Sequence, residues 1–497
     1  MRDLLATRAS ASPNATALAD ADSGREWTYA ALDDGVETTA GLLAARGVER
    51  GDHVGVLAET RPAFVRLVFA CQRLGATLVP LNVRLAVPEL RAQVERADLT
   101  ALVCERDTED DATAIAGDVP VATVDSPAAP GVEALDDADP ATVERAELAR
   151  DDRAALVFTS GTTGDPKAVE LTVGNFLAAG AASAFRLGVT PDDRWLCPLS
   201  MYHVGGLSIA LRCALYGTTC VIQRDFDAEA TLRTLDEYDC TGVSVVPTML
   251  KRMLRAERGF PESLRFVLCG GAPTPPELVA ACAARDVPVH PSYGMTEAAS
   301  QIATARPDEA AAHEGTVGRP LFGTTVTVVG EDGDPVPRGE TGELCVTGPS
   351  VTPGYYGDPD ATADAFGPHG LRTGDVGYRD DAGRLYVLNR RSDRIVTGGE
   401  SVDPGRVADV ARAHPAVDDV AVVGLPDDEW GERVAAVVVP VPGTSPDPAD
   451  LAADWAADLA GFERPRTVAV VGELPRTASG TVDREAAREL AAAGVEL

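Results

Sequence analysis

Residues 156–167 read Leu-Val-Phe-Thr-Ser-Gly-Thr-Thr-Gly-Asp-Pro-Lys: a short apolar run, six consecutive Thr, Ser and Gly residues, then Asp, Pro and Lys. Gly161 and Gly164 free the backbone to turn N–H groups towards an anion. The hydroxyls of Thr159, Ser160, Thr162 and Thr163 donate to phosphate oxygens, and Lys167 adds a point positive charge. The spacing Gly-x-x-Gly-x-x-Lys differs from the nucleotide-hydrolase loop Gly-x-x-x-x-Gly-Lys-Ser/Thr. A bare Ser/Thr/Gly stretch is usually only a flexible turn, but this full run behind a strand points to phosphate handling.

Other residues of useful chemistry follow in order. Gly270-Gly271-Ala272-Pro273 closes an apolar strand, which by itself is an ordinary strand-to-helix turn. Ser292-Tyr293-Gly294-Met295-Thr296-Glu297 ends on a carboxylate, an oxygen ligand suited to a hard cation that keeps several waters. The plainer role for Glu297 is a charge at a helix N-terminus. Asp375 closes Arg372-Thr-Gly-Asp375 with a short, acceptor-only side chain. His203 is a lone histidine, a type that is more often structural than catalytic. Arg212 lies on a predicted helix whose apolar stripe is Leu207, Leu211 and Leu215. It either snorkels to solvent or clamps a carboxylate in bidentate fashion.

Together these blocks resemble, in order and spacing over essentially the whole chain, the superfamily of acyl-CoA synthetases, peptide-synthetase adenylation domains and luciferases. The resemblance implies ATP, Mg2+ and coenzyme A as the cofactor set. It makes Thr159 to Lys167 the phosphate loop, with Ala168 in place of the usual Gly, and Lys167 and Thr163 catalytic. Gly271, Ala272 and Pro273 would pack on adenine, and Tyr293, flanked by Ser292 and Gly294, would stack on it. Thr296 would contact the AMP phosphate, Glu297 would hold magnesium, and Asp375 with Arg390 would bind the ribose. Ser392 falls at the family's hinge, and Gly398 and Gly399 fall where the pantetheine arm passes.

His203, in Pro198-Leu-Ser-Met-Tyr-His203-Val-Gly-Gly-Leu-Ser208, would sit beside the reacting carboxylate. Combined with Tyr-Gly-Met-Thr-Glu-x-x-Ser300-Gln301-Ile302, this block is similar to the 2-succinylbenzoate–CoA ligases of menaquinone synthesis. Their substrate is an aromatic dicarboxylate, so Ser300, Gln301 and Arg212 would receive the carboxyl that does not react. One departure counts against a complete ligase. The family ends Leu-Pro-Arg-Thr-x-x-Gly-Lys, whereas residues 474–481 read Leu-Pro-Arg-Thr-Ala-Ser-Gly-Thr. Arg476 or Arg484 supplies the missing charge, or Lys167 with magnesium suffices at a lower rate, or adenylation has been lost. Ligases for other aromatic or medium-chain acids, and a lapsed nucleotide-binding homologue, stay open as rivals.

The elements that must position these groups alternate. Helical patterns at Tyr29 to Arg46 and Arg61 to Leu74 interleave with apolar strands at His53 to Ala58, Ala76 to Pro80 and Ala101 to Cys104, which predicts βα units and a mostly parallel sheet. Residues 106–150, rich in Asp, Ala and Pro, read as a variable surface connection. From Gly315 to Val387 short strands separated by Gly/Pro turns predict a β-rich subdomain. Residues 395–497 read as a compact mixed tail with helices at Pro404 to His414, Asp447 to Leu459 and Arg484 to Ala493. The expected fold is α/β: an adenylation domain over 1–391, of βα subdomains plus the β-rich part, and a small mobile domain over 392–497.

Composition narrows the partners. Seventy-seven acidic against 44 basic residues leave a net charge of −33, which repels nucleic acid and anionic membrane. Lys167 and Lys251 are the only lysines. This acid-rich, lysine-poor balance resembles proteins of salt-loving organisms, where screening over about 3 Å removes most self-repulsion. No run reaches the roughly 18 apolar residues that span a bilayer, and the first residues carry no export signal. Nine cysteines without a Cys-x-x-Cys pair suit a reducing cytoplasm and small core positions. The expected partners are small molecules, with a homodimer as the assembly and no membrane insertion.

Overall fold

The computed structural model describes residues 1–159, 166–390, 393, 395–397, 400–427, 430–456, 458–477 and 481–496. Within them the chain divides into two compact units, residues 1–326 with 346–371, and residues 327–345 with 372–497.

The first unit carries two sheets. One has seven strands in the order Glu133–Ala134, Val121–Thr123, Ala101–Cys104, His53–Leu57, Thr77–Pro80, Arg153–Thr159 and Lys167–Thr172. All its neighbouring pairs are parallel except the last, which is an antiparallel pair matching Thr159 with Lys167. The other has nine strands, running Arg319–Pro320, Ala303–Thr304, Val289–Tyr293, Phe266–Cys269, Gly242–Val245, Arg194–Cys197, Thr219–Ile222, Thr16–Asp20 and Arg25–Thr28. Its centre is parallel and its two ends are antiparallel. Runs such as Phe266-Val-Leu-Cys269 are buried at every position, as strands covered on both faces by helices must be.

Residues 106–150 are more ordered than their composition predicts. They hold a helix at Glu109–Ala116 and strands at Val121–Thr123 and Glu133–Ala134 that extend the seven-stranded sheet. Ile115, Val132 and Leu135 are buried. Two- and three-residue strands give no readable period, so their burial against an existing sheet edge is what forms them.

In a third sheet, Gly342–Thr347 lies between Thr325–Val329 and Gly370–Arg379, and Leu385–Arg390 pairs with the last of these. The expected β-rich strands are therefore present. A six-stranded sheet follows, built on the long antiparallel pair Val417–Asp427 and Gly431–Pro440. Helices Pro404–Arg412, Pro448–Trp455 and Arg484–Ala492 accompany it, each started by an aspartate that accepts from a first-turn N–H.

Among the described residues no helix is long and apolar enough to cross a membrane. The nine cysteines are free and buried. Burial pushes the Cys71, Cys197 and Cys269 thiols up to about 12, so they stay protonated core groups rather than nucleophiles.

Candidate functional site

Thr159 and Lys167 face each other as register partners at the end of their antiparallel pair. Ser160, Gly161, Thr162, Thr163 and Gly164 lie outside the described residues, as do Ser392, Gly398 and Gly399. The Lys167 ammonium stands 5.1 Å from the centre of the Tyr355 ring, within cation–π range. The Tyr355 hydroxyl donates to Glu297 Oε1 at 3.0 Å. Two sequence-predicted residues, 130 positions apart, are thus joined through a tyrosine that the motifs did not single out. Burial, and then the Glu297 charge, hold the Tyr355 pKa above its ordinary value, so its proton stays in place as a donor.

Glu297 sits in a short turn, Thr296–Ala298, and is 7% exposed. The chain returns so tightly after this turn that a Cβ at Gly294 would meet the Ser300 carbonyl oxygen at 1.6 Å. Only glycine fits there, and this closeness explains the Tyr-Gly-Met-Thr-Glu spacing. Ala299 and Ser300 follow at φ 52° and 105°, an unusual conformation for residues with side chains. Gln301 Nε2 donates to Thr304 Oγ1 at 2.9 Å and to Ser292 Oγ at 3.4 Å, so Ser292 and Gln301 share one buried network. Gln301 Oε1 is buried there without a hydrogen-bond partner. Tyr293 is buried at the end of strand Val289–Tyr293. Gly271 and Pro273 are exposed beyond strand Phe266–Cys269, with Ala272 half-buried between them.

His203 immediately precedes helix Val204–Tyr216 and meets the Tyr202 ring edge-on, with centroids 4.9 Å apart. The loop presenting it is held by a residue outside every motif. Buried Thr60 donates from Oγ1 to the Leu199 carbonyl and accepts from the Met201 N–H, each at 3.0 Å. Thr60 is itself fixed, because Glu59 N–H and Arg61 both bind Glu105, and Arg224 meets the two Glu105 oxygens at 2.9 Å. A Cβ at Gly206 would stand 2.4 Å from the Ser200 carbonyl oxygen, so the His-x-x-Gly spacing reflects close backbone packing. Thr60→Val keeps the shape and strands both partners, at a cost of about 1–3 kcal/mol for each buried group left unpaired. The expected result is a roughly 10-fold rise in the KM for the acid with the KM for ATP unmoved, while Thr60→Ser behaves as the parent; steady-state kinetics checks this.

Arg212 does not snorkel. It is 3% exposed, lies over the Trp195 ring at 5.9 Å, and packs beside Gly180 of helix Val173–Leu187. Its Nε and Nη2 are buried without a hydrogen-bond partner, and no carboxylate among the described residues pairs with it. Burial lowers its pKa from the ordinary arginine value. No hydrogen bond links it to Ser300 or Gln301.

In the second unit Asp375 and Arg390 are register partners on adjacent strands, with Arg390 Nε 3.4 Å from Asp375 Oδ1. Thr373 fixes the approach by donating to the Leu344 carbonyl and accepting from the Asp375 N–H. Thr481 Oγ1 lies 2.8 Å from Thr477 Oγ1. Both candidate substitutes for the missing lysine are committed elsewhere. Arg476 pairs with Asp419 at 2.8 Å, and Arg484 pairs with Asp393 at 2.9 Å while donating to the Val422 carbonyl.

A model of the AMP-binding enzyme family matches residues 5–356, and one of the AMP-binding enzyme C-terminal domain matches residues 406–481. The chain belongs to the AMP-binding enzyme family. Among its members, the 2-succinylbenzoate–CoA ligase of Geobacillus kaustophilus is 38% identical over 475 residues, covering 95% of each chain. The Bacillus pumilus ligase of the same name is 37% identical over 96% of this chain and 95% of its own. Among solved structures, Bacillus subtilis o-succinylbenzoate CoA synthetase in complex with the acyl-adenylate intermediate superposes with a TM-score of 0.91 at 34% identity. That match covers 98% of this chain and 97% of the other. The same synthetase with ATP and a magnesium ion gives 0.90, over 98% and 99%. The α/β fold of this family, with its large first part and smaller C-terminal part, is the fold the resemblance implied.

Proposed function

We propose that this AMP-binding enzyme is an ATP-dependent, AMP-forming acid–CoA ligase that converts 2-succinylbenzoate to its CoA thioester through an acyl-adenylate, in menaquinone biosynthesis. The relatives' shared activity supports the reaction. The observation that carries the choice of acid is Arg212: a buried guanidinium with two donor nitrogens unused is costly unless an anion completes it. A monocarboxylate spends its only charge at the reacting phosphate, whereas a dicarboxylate has a second one to offer.

In this reading Lys167 and the hydroxyls of Thr159, Ser160, Thr162 and Thr163 hold the ATP phosphates, and Thr296 takes the AMP phosphate. Gly271, Ala272, Pro273, Ser292, Tyr293 and Gly294 form the adenine site, and Asp375 with Arg390 takes the ribose. His203 stands beside the reacting carboxylate, and Ser300, Gln301 and Arg212 receive the distal one. Ser392 as hinge, and Gly398 and Gly399 along the CoA arm, come from the resemblance.

A magnesium ion fits Glu297: its carboxylate is buried and oriented by Tyr355, and no cluster of three or more His, Cys, Asp or Glu residues capable of holding a metal occurs among the described residues. That donor set suits an ion held by one carboxylate, phosphate oxygens and water. When bound, the ion supplies charge neutralisation on the phosphates. The substrate carboxylate attacks the α-phosphorus and pyrophosphate leaves; the CoA thiol then attacks the acyl carbon and AMP leaves. Positioning and charge placement do most of the work. The enzyme is further proposed to act in the cytoplasm of a salt-loving cell, as a homodimer.

The direct test is thioester formation with ATP, Mg2+ and CoA in concentrated potassium chloride, read by mass spectrometry across an acid panel. 2-Succinylbenzoate is expected to exceed benzoate and medium-chain fatty acids by about 10- to 10²-fold in kcat/KM, the scale of one lost charged contact. Equal rates across the panel would remove the dicarboxylate assignment.

Thr481 favours one second reading, a nucleotide-binding homologue that no longer adenylates. Arg476 and Arg484 are held by Asp419 and Asp393, so neither offers a ready replacement charge. Thr481→Lys is expected to raise the adenylation rate about 10-fold or more, since one preorganised cation on a transferring phosphoryl group is worth several kcal/mol in the transition state. Single-turnover formation of the adenylate checks it.

A further inference from the structure

We infer that Tyr355 is a positioning residue for both halves of the metal–phosphate apparatus, its hydroxyl orienting Glu297 and its ring face holding the Lys167 ammonium. The inference rests on the reading of Glu297 and Lys167 given above.

The tyrosine is fixed by the same backbone that carries its two clients. Segment 352–356 is bound to strand Lys167–Thr172 through Glu170 N–H to the Gly354 carbonyl at 3.0 Å and Tyr356 N–H to the Ala168 carbonyl at 2.8 Å. A bridge between Val169 and Tyr355 lies between them. The Thr352 N–H donates to the Glu297 carbonyl at 2.7 Å, which ties the segment to the turn bearing the carboxylate. Tyr355 N–H is in turn held by Thr362 Oγ1 at 2.9 Å. The ring therefore stands between a strand that starts at Lys167 and the turn that carries Glu297.

Each end of the ring does something different. The hydroxyl occupies one of the roughly four lone-pair sites of the Glu297 carboxylate and so fixes the direction in which that carboxylate faces. Magnesium demands near-ideal octahedral geometry, so a carboxylate turned the wrong way binds it poorly. The ring face acts on Lys167, whose Cα is fixed in the strand but whose four-carbon stem is otherwise free. Confining the ammonium over the ring removes much of that freedom before ATP arrives.

The two roles separate by substitution. Tyr355→Phe keeps the ring and removes the hydroxyl; Tyr355→Leu removes both. Calorimetric titration of the full chain with ATP, with EDTA and then with Mg2+, in concentrated potassium chloride, reads them apart from turnover. For Tyr355→Phe the expected result is parent affinity without metal, and a three- to tenfold smaller gain on adding Mg2+. For Tyr355→Leu the same smaller gain is expected, together with a three- to tenfold loss of metal-free affinity. If Tyr355→Leu does not fold, Tyr355→Met carries the second arm, its thioether filling the space without a π face. A parent-like Mg2+ gain in Tyr355→Phe, or a parent-like metal-free affinity in Tyr355→Leu or Tyr355→Met, would overturn the inference. A parent chain whose ATP affinity ignores Mg2+ would instead remove the underlying reading of Glu297.

Discussion

Lys167→Ala lowers the rate of acyl-adenylate formation by about 10²–10³-fold, the loss typical of deleting one preorganised group on a developing charge. The reason lies in what remains after the substitution. The chain has two lysines, Lys251 lies in helix Pro247–Arg255, and position 481 is threonine. The two arginines nearest that position in sequence are bound to Asp419 and Asp393 at 2.8 and 2.9 Å. An arginine already neutralised at contact distance offers little net field to a phosphate. The decrease should therefore exceed that of the same substitution in relatives that keep a second catalytic lysine. Single-turnover measurement of the adenylate, at fixed high salt, gives the number. A decrease of less than about 10-fold would show that arginine or solvent cation has taken over the charge.

Arg212→Met separates the dicarboxylate from its monocarboxylate analogue. Losing a charge-assisted contact costs about 1.5–3 kcal/mol, so kcat/KM for 2-succinylbenzoate should fall roughly 10- to 10²-fold. The analogue lacking the second carboxyl should be unchanged or improved. The same change should raise the melting temperature of the ligand-free protein, because a buried charge without a partner destabilises the fold and an apolar side chain of similar volume does not. The two effects have opposite sign, which a purely structural arginine would not produce. Equal losses on both acids, with a lowered melting temperature, would place Arg212 in the core alone.

The parts of this protein that were legible in its sequence are those where local chemistry and local geometry coincide. Gly294 is readable because only glycine fits under the Ser300 carbonyl, and the βα alternation is readable because buried parallel strands are continuously apolar. Asp375 and Arg390 stand 15 residues apart in the sequence, and their register across one sheet brings them side by side. What was not legible depends on long-range packing. Thr60 acts 139 residues away from Leu199, and the ordinary sequence around it carries no motif. Tyr355 belongs to a Gly-Tyr-Tyr turn that reads as a loop until its pairing with Val169 is known. The strands within residues 106–150 are too short to show a period, and they form because an exposed sheet edge awaits them. The sequence leaves Arg212 either solvent-seeking or carboxylate-binding, and its burial removes the first choice.

ATP–pyrophosphate exchange dependent on 2-succinylbenzoate, in concentrated potassium chloride with Mg2+, tests the central claim most directly. It reports the first half-reaction alone, at the position where Thr481 stands in place of lysine. Exchange that requires the acid, and that Lys167→Ala lowers by about 10²–10³-fold, is the result expected of a complete ligase. Absence of exchange, alongside thioester formation from a supplied acyl-adenylate, would contradict it.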